Sequence, residues 1–210
     1  MQTNLLPIAR EGWKYLSYSF LFLILFLIFD FDILAFITLL ITLFIGVTFR
    51  NPERETVLFE KASFLSPSDG RVVSIEEIDD SEFGYEIMIE SDYLDVVLLR
   101  ASSNQKLESL KKYNGTRTSK NSKLFQDLNE YAVLNFSDEF HNKFKIVYTL
   151  KNSFFPLVID LIKGQEINRT SRYGVMSNGV TKLYLPKNFR LNISVGNRVK
   201  ASESLIGYFS

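Results

Sequence analysis

The side chains able to do chemistry in this chain are few, and their types narrow the options quickly. No Cys occurs among the 210 residues, which removes disulfides, thiolate metal sites and a Cys nucleophile together. The single His, His141, sits in the polar run Asp138-Glu139-Phe140-His141-Asn142-Lys143 and reads as a solvated loop residue rather than a base or ligand. Asp69 closes the turn Ser66-Pro67-Ser68-Asp69-Gly70, a place where an Asp side chain caps its own backbone. Lys182 lies close to the turn signal Asn178-Gly179; a lipoyl-type carrier needs its Lys at an exposed hairpin tip, and Lys182 falls on the strand instead. The 24 basic residues match 24 acidic ones, so there is no electrostatic case for a nucleic-acid partner.

The elements that must position these groups are mostly strands. Residues 172–186 read as a β-hairpin: 173–177 and 180–185 carry aromatic and β-branched residues and flank Asn178-Gly179, the strongest two-residue turn signal. Further strands are predicted at 71–75, 86–89, 95–99, 131–136, 144–150 and 156–162, punctuated by Asp69-Gly70, Asn114-Gly115 and Lys163-Gly164. A short helix is predicted near 124–130, while 106–112 fits helix and strand equally well. The run 193–207 reads as strand, turn at Gly196-Asn197, and strand. Paired with 70–75, it suggests two similar lipoyl-like hairpins closing a small flattened barrel or sandwich.

Ahead of this β-rich part, the chain from Trp13 to Phe49 is almost wholly apolar, broken by Phe29-Asp30-Phe31-Asp32. A bilayer core needs about 20 helical residues, and spans at 13–29 and 33–49 come to slightly less, which local thinning accommodates. One continuous helix would bury both carboxylates at a cost of at least about 2.5 kcal/mol each, so a helical hairpin with Asp30 and Asp32 at its turn is expected. Arg10 and Lys14 precede the first span while Arg50 and Arg54 follow the second, which places both termini on the cytoplasmic side. The predicted organisation is a two-helix transmembrane hairpin, 1–50, followed by a mainly β soluble domain, 51–210.

Several separated motifs agree with one another. Ile8-Ala9-Arg10-Glu11-Gly12-Trp13, Phe49-Arg50-Asn51-Pro52-Glu53-Arg54, Ser66-Pro67-Ser68-Asp69-Gly70-Arg71-Val72-Val73, Asp95-Val96, Arg100-Ala101, Asn129-Glu130, Arg172-Tyr173-Gly174, Leu183-Tyr184-Leu185-Pro186 and Val195-Gly196-Asn197-Arg198-Val199 occur in order. In these the chain resembles the short, membrane-anchored phosphatidylserine decarboxylases, nearly end to end. The resemblance implies a β-rich domain on the cytoplasmic face of a bacterial-type inner membrane, with phospholipid as its partner. Members of that family make a pyruvoyl cofactor from their own chain: a Ser after Gly attacks the preceding carbonyl with help from an Asp and a His. The resulting carbonyl is the electron sink for decarboxylation.

Carried over residue by residue, the Asp is Asp69. The His is not kept: where the family reads Asp-Val-His-Val-Asn-Arg, this chain reads Asp95 to Arg100 with Val97 in the His place. The Gly-Ser falls at Gly179, followed by Val180, in a stretch one residue shorter. An expected Arg-Arg pair is Phe155-Pro156, and the Arg expected after Asn129-Glu130 is Tyr131. Ser177 is the weak alternative nucleophile under a shifted alignment, with Met176 before it and no His in the pattern. The expectation is a relative that keeps fold and membrane docking without self-processing, with no cofactor and no metal, partnered by an active paralogue or a second copy. The alternatives are a working decarboxylase of phosphatidylserine or a related serine lipid with an unrecognised nucleophile, and a lipoyl-like adaptor or interaction module.

Overall fold

The structure is a computed structural model that describes residues 6–54, 60–79, 82–122 and 124–210. The chain divides into two compact units, Met1–Glu53 and Arg54–Ser210.

The first unit is helical. A 3-10 turn at Arg10–Gly12 runs into α1 (Trp13–Ile28), and α2 (Asp32–Thr48) returns beside it. Asp30 adopts φ 56° in the reversal between them, as expected of the acidic interruption. Where the helices meet, Ala35, Thr38 and Ile45 are buried and the Ser19 and Thr42 hydroxyls bond at 2.6 Å. Gly12 is required at the open end, because a Cβ there would lie 2.5 Å from Phe49 Cβ. The remaining faces expose large apolar side chains such as Leu21, Phe22, Ile33 and Phe36. Arg10–Ile28 is long and apolar enough to cross a membrane, whereas Asp32–Thr48 is the shorter apolar helix.

The second unit is mainly β. Its strands are β1 (Ser63–Leu65), β2 (Gly70–Glu77), β3 (Tyr85–Ser91), β4 (Leu98–Arg100), β5 (Gln105–Tyr113), β6 (Tyr131–Asp138) and β7 (Lys143–Leu150). They continue as β8 (Val158–Ile159), β9 (Glu166–Ile167), β10 (Arg172–Val175), β11 (Gly179–Leu185), β12 (Phe189–Leu191), β13 (Arg198–Val199) and β14 (Leu205–Phe209). Among the described residues one short helix, α3 (Phe125–Leu128), interrupts them.

An eight-stranded antiparallel sheet runs β13-β2-β3-β11-β7-β6-β5-β9, and two three-stranded sheets, β1-β14-β12 and β4-β10-β8, complete the unit. Period-two alternation explains the core. Phe144, Ile146, Tyr148 and Leu150 of β7 point inward with Ala132, Leu134 and Phe136 of β6, and all are buried. Phe64 of one small sheet packs edge-on with Phe144 of β7 and with Phe189 and Phe209 of its own sheet, and Tyr173 of the other meets Tyr148 and Phe136.

Several sequence expectations change here, among them the strand expected at 156–162, which is only Val158–Ile159. Residues 172–186 do not form a hairpin: β10 pairs with β4 and β8, whereas β11 pairs with β3 and β7, so the two strands belong to different sheets. Asn178 does take the left-handed conformation that the turn signal implies, φ 78°, but it turns a corner between sheets instead of closing a loop. The strand expected at 95–99 begins only at Leu98, because Asp95 ties a loop by accepting the Asp92 N–H at 2.9 Å. The undecided run 106–112 lies in β5. The closing run does meet the start of β2, with Arg198 opposite Arg71 and Val199 opposite Gly70, but the hairpin expected over 193–207 does not form: 193–195 is not strand, and β13 and β14 belong to different sheets.

Candidate functional site

The corner between β10 and β11 is where the chemistry-bearing positions meet. The Val97 carbonyl accepts the Met176 N–H at 2.8 Å, which pins the loop before β4 to the corner. Gly179 opens β11 between Ser91 of β3 and Leu150 of β7, and the Asn178 carbonyl accepts the Lys151 N–H at 3.0 Å. From the other direction, the Ser91 hydroxyl donates to the Asp69 carbonyl, and the Ser68 and Thr181 hydroxyls lie 2.9 Å apart. The Ser66–Gly70 turn is itself braced by the Ser66 hydroxyl on the Ser68 carbonyl at 2.7 Å. Asp69, Val97 and Gly179, far apart in sequence, are therefore stitched to one end of β11.

Their side chains differ in what they can do. The Asp69 carboxylate is buried and fully engaged: Oδ2 accepts from Arg54 Nη2 at 2.7 Å, and Oδ1 accepts the Ala201 N–H at 2.8 Å. Arg54 also donates to the Ala201 carbonyl at 2.6 Å, so the pair forms a closed knot. From the sequence alone, Arg54 reads as a charge flanking the apolar segment. Its place beside Asp69 comes from the tertiary fold. Val97 is buried hydrocarbon with no proton to give or take. Gly179 has no side chain, and a Cβ would stand 2.6 Å from Met176 Sδ and 2.8 Å from the Thr149 carbonyl. Val180 follows on the outer face of the sheet with Lys182 and Tyr184, where it helps line a cavity.

Ser177 is buried, and its hydroxyl bonds the Ser153 hydroxyl at 2.7 Å. Ser153 in turn donates to the Phe155 carbonyl at 2.7 Å and receives the Phe155 N–H at 3.2 Å. Two hydroxyls in series supply no base strong enough to make an alkoxide. His141 lies at the Asp138–Lys143 turn with φ 63°. Lys182 is mid-strand and paired with Glu86 at 2.8 Å.

At the positions where the resemblance implies Arg, other contacts stand. Phe155 is buried, and Tyr131 stacks on Tyr113 with ring centroids 4.5 Å apart. Glu130 nevertheless keeps cationic partners, Lys112 at 3.2 Å and Arg117 at 3.0 Å, and accepts the Leu157 N–H at 3.2 Å. Beside the corner, Glu90 is flanked by Lys151 at 2.7 Å and Lys120 at 2.8 Å. Burial pushes the Glu90 carboxyl up, but the two lysines outweigh it and hold it below the usual carboxylate range.

Residues 41–207 match the family described as phosphatidylserine decarboxylase. The chain belongs to that family. Among similar proteins, the phosphatidylserine decarboxylase proenzyme of Desulfotalea psychrophila is 28% identical over 206 residues, covering 96% of each chain. That of Cupriavidus pinatubonensis is 27% identical over 204 residues, covering 95% of this chain and 94% of its own. That of Geotalea uraniireducens is 26% identical over 216 residues, covering 99% of both. The resemblance read from the motifs is thus a family relationship running along nearly the whole chain.

Proposed function

We propose that this chain is a membrane-attached, non-processing member of the phosphatidylserine decarboxylase family, retained in phospholipid metabolism as a lipid-binding or partner-binding protein. The observation that carries the reading is the corner at Met176–Val180. The family's pyruvoyl group derives from a Ser, and the residues present do not fit it. Gly179 stands in the Gly place, and Val180, which follows it, offers a hydrocarbon side chain where the nucleophilic hydroxyl is needed. Val97 offers no base, and the Asp69 carboxylate is held by Arg54 and Ala201. Without an α-keto acceptor, the carbanion left by loss of carbon dioxide has no electron sink. Family membership alone does not supply one.

The N-terminal helical unit is the membrane anchor in this reading. Its basic flanks orient the β unit to the cytoplasmic face of a bacterial-type inner membrane. The surviving partners are a phospholipid surface and either an active paralogue or a second copy of the chain.

Intact-mass measurement of the purified protein tests the proposal. A single chain of 24.3 kDa is expected. Two fragments, with a blocked new N-terminus at Ser177, would overturn it in favour of a working decarboxylase. Release of carbon dioxide from a carboxyl-labelled serine phospholipid by the pure protein would do the same.

A further inference from the structure

The loops bordering the corner carry a feature that the lost chemistry does not explain. Leu94 and Phe154 are 68% and 75% exposed, although they come from separate connections, after β3 and after β7. They are not independent tips. Tyr93 stacks on Phe154 with ring centroids 5.5 Å apart, its hydroxyl donates to the Asn152 carbonyl, and that carbonyl also accepts Asn178 Nδ2 at 3.3 Å. The apolar pair is therefore fixed to the corner residues. Directly beside it opens a polar cup of about 320 Å³ lined by Glu90, Lys120, Lys151, Asn152 and Asn178.

We propose that Tyr93, Leu94 and Phe154 form a wedge that enters the interfacial layer of a phospholipid bilayer and brings this polar cup to headgroup depth. Two features favour lipid over a protein surface. The exposed apolar groups are two narrow tips around a Tyr rather than a broad flat patch, and the amphipathic Tyr suits the boundary between acyl chains and headgroups. The cup pairs ammonium groups, Lys120 and Lys151, with carboxylates, Glu90 and Asp92 nearby, at 2.7 to 3.2 Å. That balance matches a zwitterionic headgroup, which presents both a phosphate and an ammonium, better than a uniformly anionic surface. The inference rests on the membrane attachment proposed above: an anchored chain keeps a bilayer at high local concentration, so a small wedge suffices.

The test uses the full chain in phosphatidylcholine proteoliposomes carrying bromine on the acyl chains. Trp13, the single Trp, is replaced by Phe, and Trp is placed by Leu94→Trp or Phe154→Trp. Phe140→Trp is the reference, because Phe140 is 55% exposed at the opposite end of β6 and β7, about 25 Å away at ~3.3 Å per strand residue. Quenching at 94 and 154 at least about twofold greater than at 140 is expected. Equal quenching at all three positions overturns the wedge, as does a concentration-dependent blue shift at 94 without bromine quenching, which would assign the surface to a second copy. Should either Trp variant misfold, Leu94→Cys in this Cys-free chain accepts one polarity-sensitive dye and reads the same depth. Flotation with the liposomes separates the two readings. A chain that fails to float sinks the anchor, and one that floats with an unquenched Trp at 94 sinks only the wedge.

Discussion

The two sides of the candidate site are held by different physics. On one side, Asp69 and Arg54 form an ion pair whose side chains are 9% and 4% exposed, closed by Ala201. On the other, Met176 to Val180 is held by shape: backbone hydrogen bonds, a left-handed Asn178 and a glycine with no room for a Cβ. A buried charge pair constrains both of its residues, because losing either partner leaves an uncompensated charge. A close-packed corner carries no such charge constraint, and its backbone path depends on small or apolar side chains that fit. Removing one partner on the charged side is the largest perturbation expected. Arg54→Ala should destabilise the protein by about 3–5 kcal/mol in denaturant unfolding, because Asp69 stays buried and unpaired. Arg117→Ala is the contrasting case. Arg117 is 31% exposed, and Glu130 keeps Lys112 and the Leu157 N–H, so a loss of about 1 kcal/mol is expected. Equal losses would mean that the Asp69 knot is more hydrated than its geometry implies.

The corner is sharpened by two smaller changes. Gly179→Ala should cost about 1–3 kcal/mol, since the Met176 side chain can yield but the Thr149 carbonyl, part of β7, cannot. Ser177→Ala should cost only about 1 kcal/mol, because Ser153 retains the Phe155 carbonyl as acceptor. Intact mass supplies the second readout. If Ser177 were a nucleophile, its removal would abolish a cleavage seen in the parent protein, which a purely structural hydroxyl would not do.

Which parts were legible in the sequence follows from how local their causes are. Strands β6 and β7 were readable with their facing, because strict alternation buries one face. In β5 the alternation is broken by a bulge between Leu107 and Ser109, which is why 106–112 fitted helix equally well. Strands of two residues, β8, β9 and β13, are too short to carry a periodic signal, and they exist only because a longer neighbour supplies the ladder. Asn178-Gly179 misled for a different reason. The signal reports a need for positive φ, and a sheet-to-sheet corner has the same need as a tight hairpin. The Arg54–Asp69 knot joins residues 15 apart through a tertiary fold, so composition offered only two unrelated charges.

The smallest expected effect lies at the border between the two sides, where Glu90 faces Lys120 and Lys151. Burial alone would raise the Glu90 carboxyl, but the lysines bring its net shift below the ordinary value of 4.5. A carboxylate with a depressed folded-state value stabilises the native protein above its unfolded value, and that contribution fades as pH falls through the folded one. Stability should therefore drop on acidification below about pH 4.5, and Glu90→Gln should flatten the slope in that window while leaving Lys120 and Lys151 less restrained. The denaturation midpoint, followed from neutral pH to the acid end in both proteins, checks this. Identical slopes would show that solvent screens the pair fully. The Lys151 backbone, anchored on Asn178, would then hold the corner without help from its side chain.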